Sequence, residues 1–96
     1  METTVYILQC ANGQYYVGST NDLERRLQEH LSNRGALFTK AHKPVKVVYT
    51  EVYNDEHEAR MREQQLHGWS RAKKEALINK DYDRLKELSK NKTNLS

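Results

Sequence analysis

The sequence has no pair of cysteines that could form a disulfide bond and no apolar stretch long enough to span a membrane. The single cysteine, Cys10, has no second cysteine to pair with and lies in an apolar run, so we expect a small buried side chain in a reducing compartment. No stretch is apolar over the length of a bilayer, and the N-terminus lacks the basic and apolar regions of an export signal. We therefore expect a cytoplasmic protein with no membrane partner.

The chain also lacks internal repeats and linkers. Its 96 residues, 36% hydrophobic and 30% charged, are enough to bury one core but too few for two. We predict one domain of the α/β (α+β) class over residues 1–80, followed by a short C-terminal helix and a frayed tail over residues 81–96.

The net charge of +3 is spread unevenly along the chain. Residues 33–50 carry four basic side chains and no acidic one, and residues 70–96 carry eight basic against four acidic, so each stretch contributes +4. Segregated basic charge suits a polyanion such as nucleic acid. A solvated helix face explains lysine-rich stretches at least as often, so charge alone does not decide the partner.

Two β-rich runs flank an Asn-Gly pair at residues 12–13 and predict a β-hairpin. A two-residue turn would place Tyr6 and Tyr16 on opposite faces of the hairpin. A three-residue loop at residues 11–13, or an equivalent bulge, would set Tyr6 opposite Gly18 and place both tyrosines on one face. We predict this longer connection, in which Gly18 leaves room beside Tyr6.

Periodicity and capping signals predict the remaining elements. Leucines at every fourth position predict a helix over residues 22–32, with Asn21 as its N-cap. The other predicted elements are a strand over 45–53, helices over 55–67 and 70–79, and a helical pattern over 81–89. The order of the principal elements is ββαβαα, which predicts a small three-stranded antiparallel sheet flanked by helices.

One carboxylate breaks the pattern of the helix over residues 55–67. With Ala59 at zero on a helical wheel, Glu63 lies at about 40° and Leu66 at about 340°, so Glu63 falls within the apolar stripe. A carboxylate there needs a cation, protonation or an opening to water. A metal ion is one solution, and pairing with a nearby arginine at a half-buried edge is the other.

Two basic residues of the first helix border its leucine stripe. Arg26 and His30 lie beside the stripe, whereas Arg25 points towards solvent. An arginine held against the sheet could clamp a phosphate. Taken singly, Arg26 could be a stem that covers apolar surface, and His30 a satisfied, partly buried imidazole. Their presence on one face favours a common site.

The triplets Thr4-Val5-Tyr6 and Tyr16-Val17-Gly18, the segment 21–30 and a glutamate on a later helix together resemble the GIY-YIG nuclease superfamily. The resemblance covers residues 3–79 and is greatest to small stand-alone, single-domain bacterial members. It implies hydrolysis of phosphodiester bonds with one divalent cation, Mg²⁺ or Mn²⁺. The implied site comprises catalytic Tyr6, Tyr16, Arg26 and His30, structural Gly18, and metal-binding Glu63.

The resemblance also implies a role for each of these residues. Glu63 would hold the cation together with water molecules. Tyr16 would activate the attacking water, with Tyr6 or His30 orienting it or relaying the proton. The metal ion and Arg26 would favour the ionised tyrosine, and Arg26 would also stabilise charge on the phosphate in the transition state.

The chain departs from the family at two positions, because Thr4 replaces the glycine that opens the first triplet and only Asn79 is near the position of a common late asparagine. The resemblance predicts an endonuclease, a hydrolase that acts on DNA. It would be selective for DNA structure rather than sequence, or would depend on a protein partner for specificity. The expected phosphate contacts are Arg34, Lys40, Lys43, Lys73 and Lys74. The alternatives are a non-catalytic nucleic-acid-binding module and a protein-interaction domain.

Overall fold

The computed structural model describes residues 2–31 and 44–94, with side chains for residues 2–29 and 46–89. These parts contain three strands and four helices: six elements in the predicted order ββαβαα, and one further helix at the end. The elements are β1 (Thr3–Cys10), β2 (Tyr15–Thr20), α1 (Leu23–Leu31), β3 (Pro44–Tyr53), α2 (Glu56–His67), α3 (Arg71–Ile78) and α4 (Tyr82–Asn94). The last helix continues to Asn94, past its predicted end at residue 89.

The three strands form the predicted antiparallel sheet, and their order in it is β2-β1-β3. The central strand β1 is covered on both faces, since its successive residues Val5, Tyr6, Ile7 and Leu8 are all at most 1% exposed. The core between sheet and helices contains Val5, Ile7 and Val17 from the strands with Ala59, Leu66 and Leu77 from α2 and α3. Tyr6, Leu8 and Tyr16 alternate with these strand residues and therefore lie on the other face.

The hairpin between β1 and β2 has the longer loop that the sequence predicts. Tyr6 is paired with Gly18, and Leu8 with Tyr16. The Gly13 N–H donates to the Cys10 carbonyl at 2.9 Å, and Gly13 has a φ of +86°. Glycine readily adopts the left-handed backbone conformation that the last residue of a three-residue hairpin loop requires. Both tyrosines consequently lie on one face of the sheet, as predicted.

The N-cap of α1 differs from the prediction by one residue. Asp22, and not Asn21, accepts a hydrogen bond from the backbone N–H of Arg25, at 3.1 Å. The chain turns immediately after β2, where the Thr20 hydroxyl accepts from the Asp22 N–H at 3.1 Å, and this turn places Asp22 directly before the first helical residue. The predicted caps of the next two helices are confirmed, with Asp55 before α2 and Ser70 before α3.

A polar cluster joins α2 to the edge strand β3. The Arg62 guanidinium donates two hydrogen bonds to the Glu51 carboxylate of β3, both 3.0 Å long. The hydroxyls of Tyr49 and Tyr53 donate to the same carboxylate at 2.5 and 2.7 Å. Burial alone would raise the pKa of Glu51, but these four hydrogen bonds hold it below its ordinary value. With Arg62 directed towards β3, the next residue, Glu63, is directed towards β2.

Cys10 is buried and unpaired, as the sequence predicts. Within the described part of the chain, none of the helices combines the length and the apolar composition that a bilayer crossing requires.

Candidate active site

The pairing of Tyr6 with Gly18 determines where the Tyr6 hydroxyl lies. A Cβ atom built on Gly18 would lie 2.5 Å from the hydroxyl oxygen of Tyr6 and 2.7 Å from its Cζ. The Tyr6 side chain therefore extends from the central strand across the backbone of β2, into space that only glycine leaves open. Gly18 acts here through the absence of its side chain, as the hairpin register predicts.

The second tyrosine lies beside the first. The ring centroids of Tyr6 and Tyr16 are 6.4 Å apart, and the ring planes are tilted by 33°. This separation is within the range of favourable aromatic pairs. Tyr6 is only 1% exposed, whereas Tyr16 is partly exposed, so Tyr16 is the more accessible of the two to a substrate.

Both tyrosines are electrostatically coupled to Arg26 and Glu63. Burial raises the pKa of Tyr6 well above its ordinary value, with Tyr16 and Glu63 acting in the same direction and Arg26 in the opposite one. Burial also raises the pKa of Tyr16, which Arg26 lowers and Glu63 raises. The structure thus brings these four predicted residues together, and both hydroxyls are protonated at neutral pH in the absence of a further cation.

Glu63 lies at the outer edge of the sheet, where α2 passes β2. The sequence places Glu63 within the apolar stripe, facing the core; in the structure its side chain is 27% exposed, half-buried and open to water. One carboxylate oxygen accepts a hydrogen bond from the Ser19 hydroxyl at 2.5 Å, and the other lies 3.4 Å from Nε2 of His67. Pairing with an arginine, the alternative explanation for this carboxylate, is not observed among the described residues: Arg60 and Arg62 pair with other glutamates.

The surroundings of Glu63 fit a cation held by a single protein carboxylate. Among the described side chains, no group of three or more His, Cys, Asp or Glu residues is placed to hold a metal ion. Glu63 has no lysine or arginine within ion-pair distance in this part of the chain, and it remains accessible to water. A hard divalent ion with oxygen ligands could bind such a carboxylate and complete its coordination with water or phosphate oxygens.

Arg26 lies in a surface cleft next to Glu63. Its side chain is 45% exposed, against 75% for Arg25, in agreement with the predicted orientations of the two arginines. Its Nε lies 3.6 Å from a carboxylate oxygen of Glu29. The cleft is lined by Arg26 together with Thr3, Ser19, Thr20, Asn21, Glu56 and Arg60. A second cleft contains Glu63 and Gln64 and shares Ser19 and Arg60 with the first.

Several predicted site residues fall outside this arrangement or outside the described residues. His30 belongs to α1, but its side chain is not among those described, and the basic residues Arg34, Lys40 and Lys43 lie outside the described residues altogether. Lys73 and Lys74 belong to α3, which packs on the sheet face opposite to Tyr6 and Tyr16. Lys73 lies over the Trp69 ring, 4.4 Å from its centroid, and Lys74 lies beside the hairpin loop.

Three residues of the site were missed in the sequence. Ser19 follows Gly18 directly, but its side chain points to the other face of β2 and reaches Glu63 there. Arg60 lies three residues before Glu63, and His67 lies four residues after it. This spacing of about one helical turn places all three along one edge of α2. The helical spacing around Glu63 was therefore the signal for Arg60 and His67, while nothing local predicted the contact with Ser19.

Comparison with known proteins identifies the family of this chain. The family described as the GIY-YIG catalytic domain matches residues 2–76. The chain is 42% identical over 73 residues to a UPF0213 protein of Bacillus pumilus, covering 76% of this chain and 74% of that one. It is 42% identical over 74 residues to a UPF0213 protein of Halobacterium salinarum, covering 77% and 96% of the two chains.

Two solved structures share the fold. The solution NMR structure of a UPF0213 protein from Bacillus halodurans has a TM-score of 0.56 at 36% identity, covering 93% of this chain and 98% of that one. The solution NMR structure of a protein from E. faecalis has a TM-score of 0.60 at 30% identity, covering 85% and 88%. From the family match, these relatives and the site geometry, we conclude that the chain belongs to the GIY-YIG catalytic domain family, a family of nucleases.

Proposed function

We propose that this protein is a metal-dependent endonuclease that hydrolyses phosphodiester bonds in DNA and selects DNA by structure rather than by sequence. The observation that carries the proposal is Glu63, a half-buried carboxylate with no neutralising lysine or arginine among the described residues, beside two protonated tyrosines and an arginine-lined cleft. Residues 1–80 would form the catalytic domain, and residues 81–96 an appended helix and tail.

Each side chain has a distinct task in the proposed reaction. Glu63, with water, would hold one Mg²⁺ or Mn²⁺, which supplies Lewis-acid polarisation of the phosphate and a lower pKa for bound water. Arg26 would bind the phosphate and offset the negative charge that grows in the transition state. The Tyr6 hydroxyl, protonated and buried, would donate a hydrogen bond that orients the attacking water or the phosphate.

Tyr16 is the residue that we propose for activating the water. Its raised pKa makes the neutral form dominant, so proton acceptance requires positive charge close to the hydroxyl. Arg26 supplies part of that charge, since it lowers the pKa of Tyr16 against the effect of burial. His30 is proposed as a proton relay on the same helix as Arg26.

The substrate assignment rests on charge and on the absence of any evident base-reading element in the sequence. Phosphate contacts would come from Arg34, Lys40 and Lys43, and from Lys73 and Lys74 on α3. Contacts to backbone phosphates position a duplex without reading its sequence. A protein partner would then supply any sequence specificity.

The test is a cleavage assay on supercoiled plasmid and on branched DNA, with Mg²⁺ or Mn²⁺, comparing the wild type with Glu63→Gln. Glu58→Gln, an exposed carboxylate on the same helix, is the matched control. We expect metal-dependent nicking by the wild type and the control, and loss of nicking by Glu63→Gln. Equal nicking by all three proteins would refute the metal role of Glu63.

The second candidate is a non-catalytic nucleic-acid-binding module with the same fold. Ser19 and His67 both contact the Glu63 carboxylate, one at each oxygen, and such contacts can stabilise a half-buried carboxylate without a metal. DNA binding by the wild type without cleavage, in every divalent metal tried, would favour this candidate over the endonuclease.

A further inference from the structure

Arg60 occupies a position that the proposed chemistry leaves unused. It precedes Glu63 by three residues on α2 and lines both the cleft that contains Arg26 and the cleft that contains Glu63. Its side chain is 69% exposed and pairs with Glu56, itself 66% exposed, at 2.8 Å. Arg60 is thus accessible at the junction of the two clefts.

The cleft between Arg26 and Arg60 has the composition of an anion site. Two guanidiniums lie in its lining, and its remaining walls carry the neutral polar residues Thr3, Ser19, Thr20 and Asn21. Among the described residues that line this cleft, Glu56 is the one with an acidic side chain. A planar guanidinium matches the geometry of phosphate oxygens, so a phosphate could bind between the two arginines.

The present partner of Arg60 is well suited to exchange. Both members of the Arg60–Glu56 pair are exposed, and an exposed pair of this kind contributes little to stability. A phosphate could therefore displace Glu56 from Arg60 at small cost. Without a bound phosphate, the carboxylate of Glu56 is the anion that pairs with the Arg60 guanidinium.

We propose that Arg60 binds a backbone phosphate of the nucleic acid next to the phosphodiester at Glu63, and that Glu56 competes for the same guanidinium. The inference deepens the proposed function and rests on it, because it assigns a second phosphate subsite to the same clefts. A strand that passes from the Arg26 cleft to Glu63 would pass Arg60, which lines both clefts.

The structure offers a matched control for this pair. Arg84 and Glu87 of α4 form a similar exposed pair at 3.3 Å, with side chains 55% and 68% exposed. Neither lines either of the two clefts. Neutralising Arg84 changes the net charge as much as neutralising Arg60, so a difference between the two variants reports the location of the charge.

The test measures the binding of a fluorescently labelled branched DNA by anisotropy, without divalent metal, over a series of NaCl concentrations. We expect Arg60→Gln to weaken binding roughly tenfold at low salt. We also expect it to reduce the slope of log affinity against log salt by about 0.9, the value for one lost phosphate contact. Arg60→Lys should keep the wild-type slope, because it keeps the charge.

Glu56→Gln should tighten binding, because it removes the competing carboxylate, while Arg84→Gln and Glu87→Gln should leave the affinity within about twofold of the wild type. Thermal unfolding of each variant identifies any change due to folding. Equal effects of Arg60→Gln and Arg84→Gln would overturn the phosphate subsite. Unchanged or weaker binding by Glu56→Gln would overturn the competition.

The outcome for Arg60 is distinguishable from the outcome for the proposed function. Metal-dependent nicking that Glu63→Gln abolishes, with no salt-slope change in Arg60→Gln, would leave the endonuclease standing and refute the subsite. The expected binding changes without nicking by the wild type would support the subsite and refute the endonuclease.

Discussion

Replacing Gly18 with alanine tests the geometry of the tyrosine pair directly. The new Cβ would lie 2.5, 2.7 and 3.2 Å from the Oη, Cζ and Cε1 atoms of Tyr6, and the Tyr6 side chain is only 1% exposed. The ring is packed on all sides, so it cannot move away without displacing its neighbours. Overpacking of this kind costs about 1–3 kcal/mol.

The measurement is unfolding by urea and by heat. For a chain of this size we expect a melting temperature lower by roughly 5–20 °C. Because the displaced atoms belong to the proposed catalytic residue Tyr6, any cleavage activity should fall by more than the unfolded fraction explains. A Gly18→Ala protein as stable as the wild type would refute the argument that Gly18 makes room for Tyr6.

Two further variants separate steric overlap from other effects of replacing glycine. Gly68→Ala is the matched control, because Gly68 has a φ of −83° and a Cβ there meets its nearest neighbour, the Gln65 carbonyl, at 3.5 Å. We expect it to be neutral or slightly stabilising, by up to about 1 kcal/mol. Tyr6→Phe removes the atom nearest to the new Cβ, so Gly18→Ala should cost at least about 0.5 kcal/mol less in that background.

Two other predictions follow from the hydrogen bonds around α2. Ser19→Ala removes the hydroxyl that donates to Glu63, so the Mg²⁺ or Mn²⁺ concentration for half-maximal cleavage should rise about tenfold. Ser19→Thr, which keeps a hydroxyl, should restore the wild-type concentration. An unchanged metal requirement in Ser19→Ala would show that Ser19 does not help Glu63 to hold the metal. The pKa of Glu51 is below its ordinary value in the folded protein, so its stabilising contribution is complete above the ordinary pKa of a glutamate and is lost as the pH falls through the folded value. Glu51→Gln should lower the free energy of unfolding at pH 7 by up to about 3 kcal/mol, because Arg62 loses its ionised partner. It should also flatten the acid side of the profile of stability against pH. A variant with the wild-type profile would contradict the role of Glu51.

Much of the fold was predictable because the signals that specify it are local. Alternation along two short strands around an Asn-Gly pair predicted the hairpin. That pair left both a two-residue and a three-residue loop open, and the observed pairing of Tyr6 with Gly18 confirms the longer loop that a shared face for the two tyrosines required. The helix starts at Asp55 and Ser70 depend on capping by side chains within three residues. The first helix was the exception, because the turn made by Thr20 moves its cap from Asn21 to Asp22.

The sequence by itself determined the order of the elements and placed Glu63 within an apolar stripe. Whether the two tyrosines share a face depended on the length of the hairpin loop, which the observed strand register decided. Only the tertiary structure decided what Glu63 contacts, since Ser19 lies 44 residues away along the chain. That contact depends on the rotation of α2, to which the burial of Ala59 and Leu66 and the pairing of Arg62 with Glu51 both contribute. Periods of two and 3.6 residues specify which side of a strand or helix a residue occupies, whereas the neighbour it meets depends on packing between distant segments.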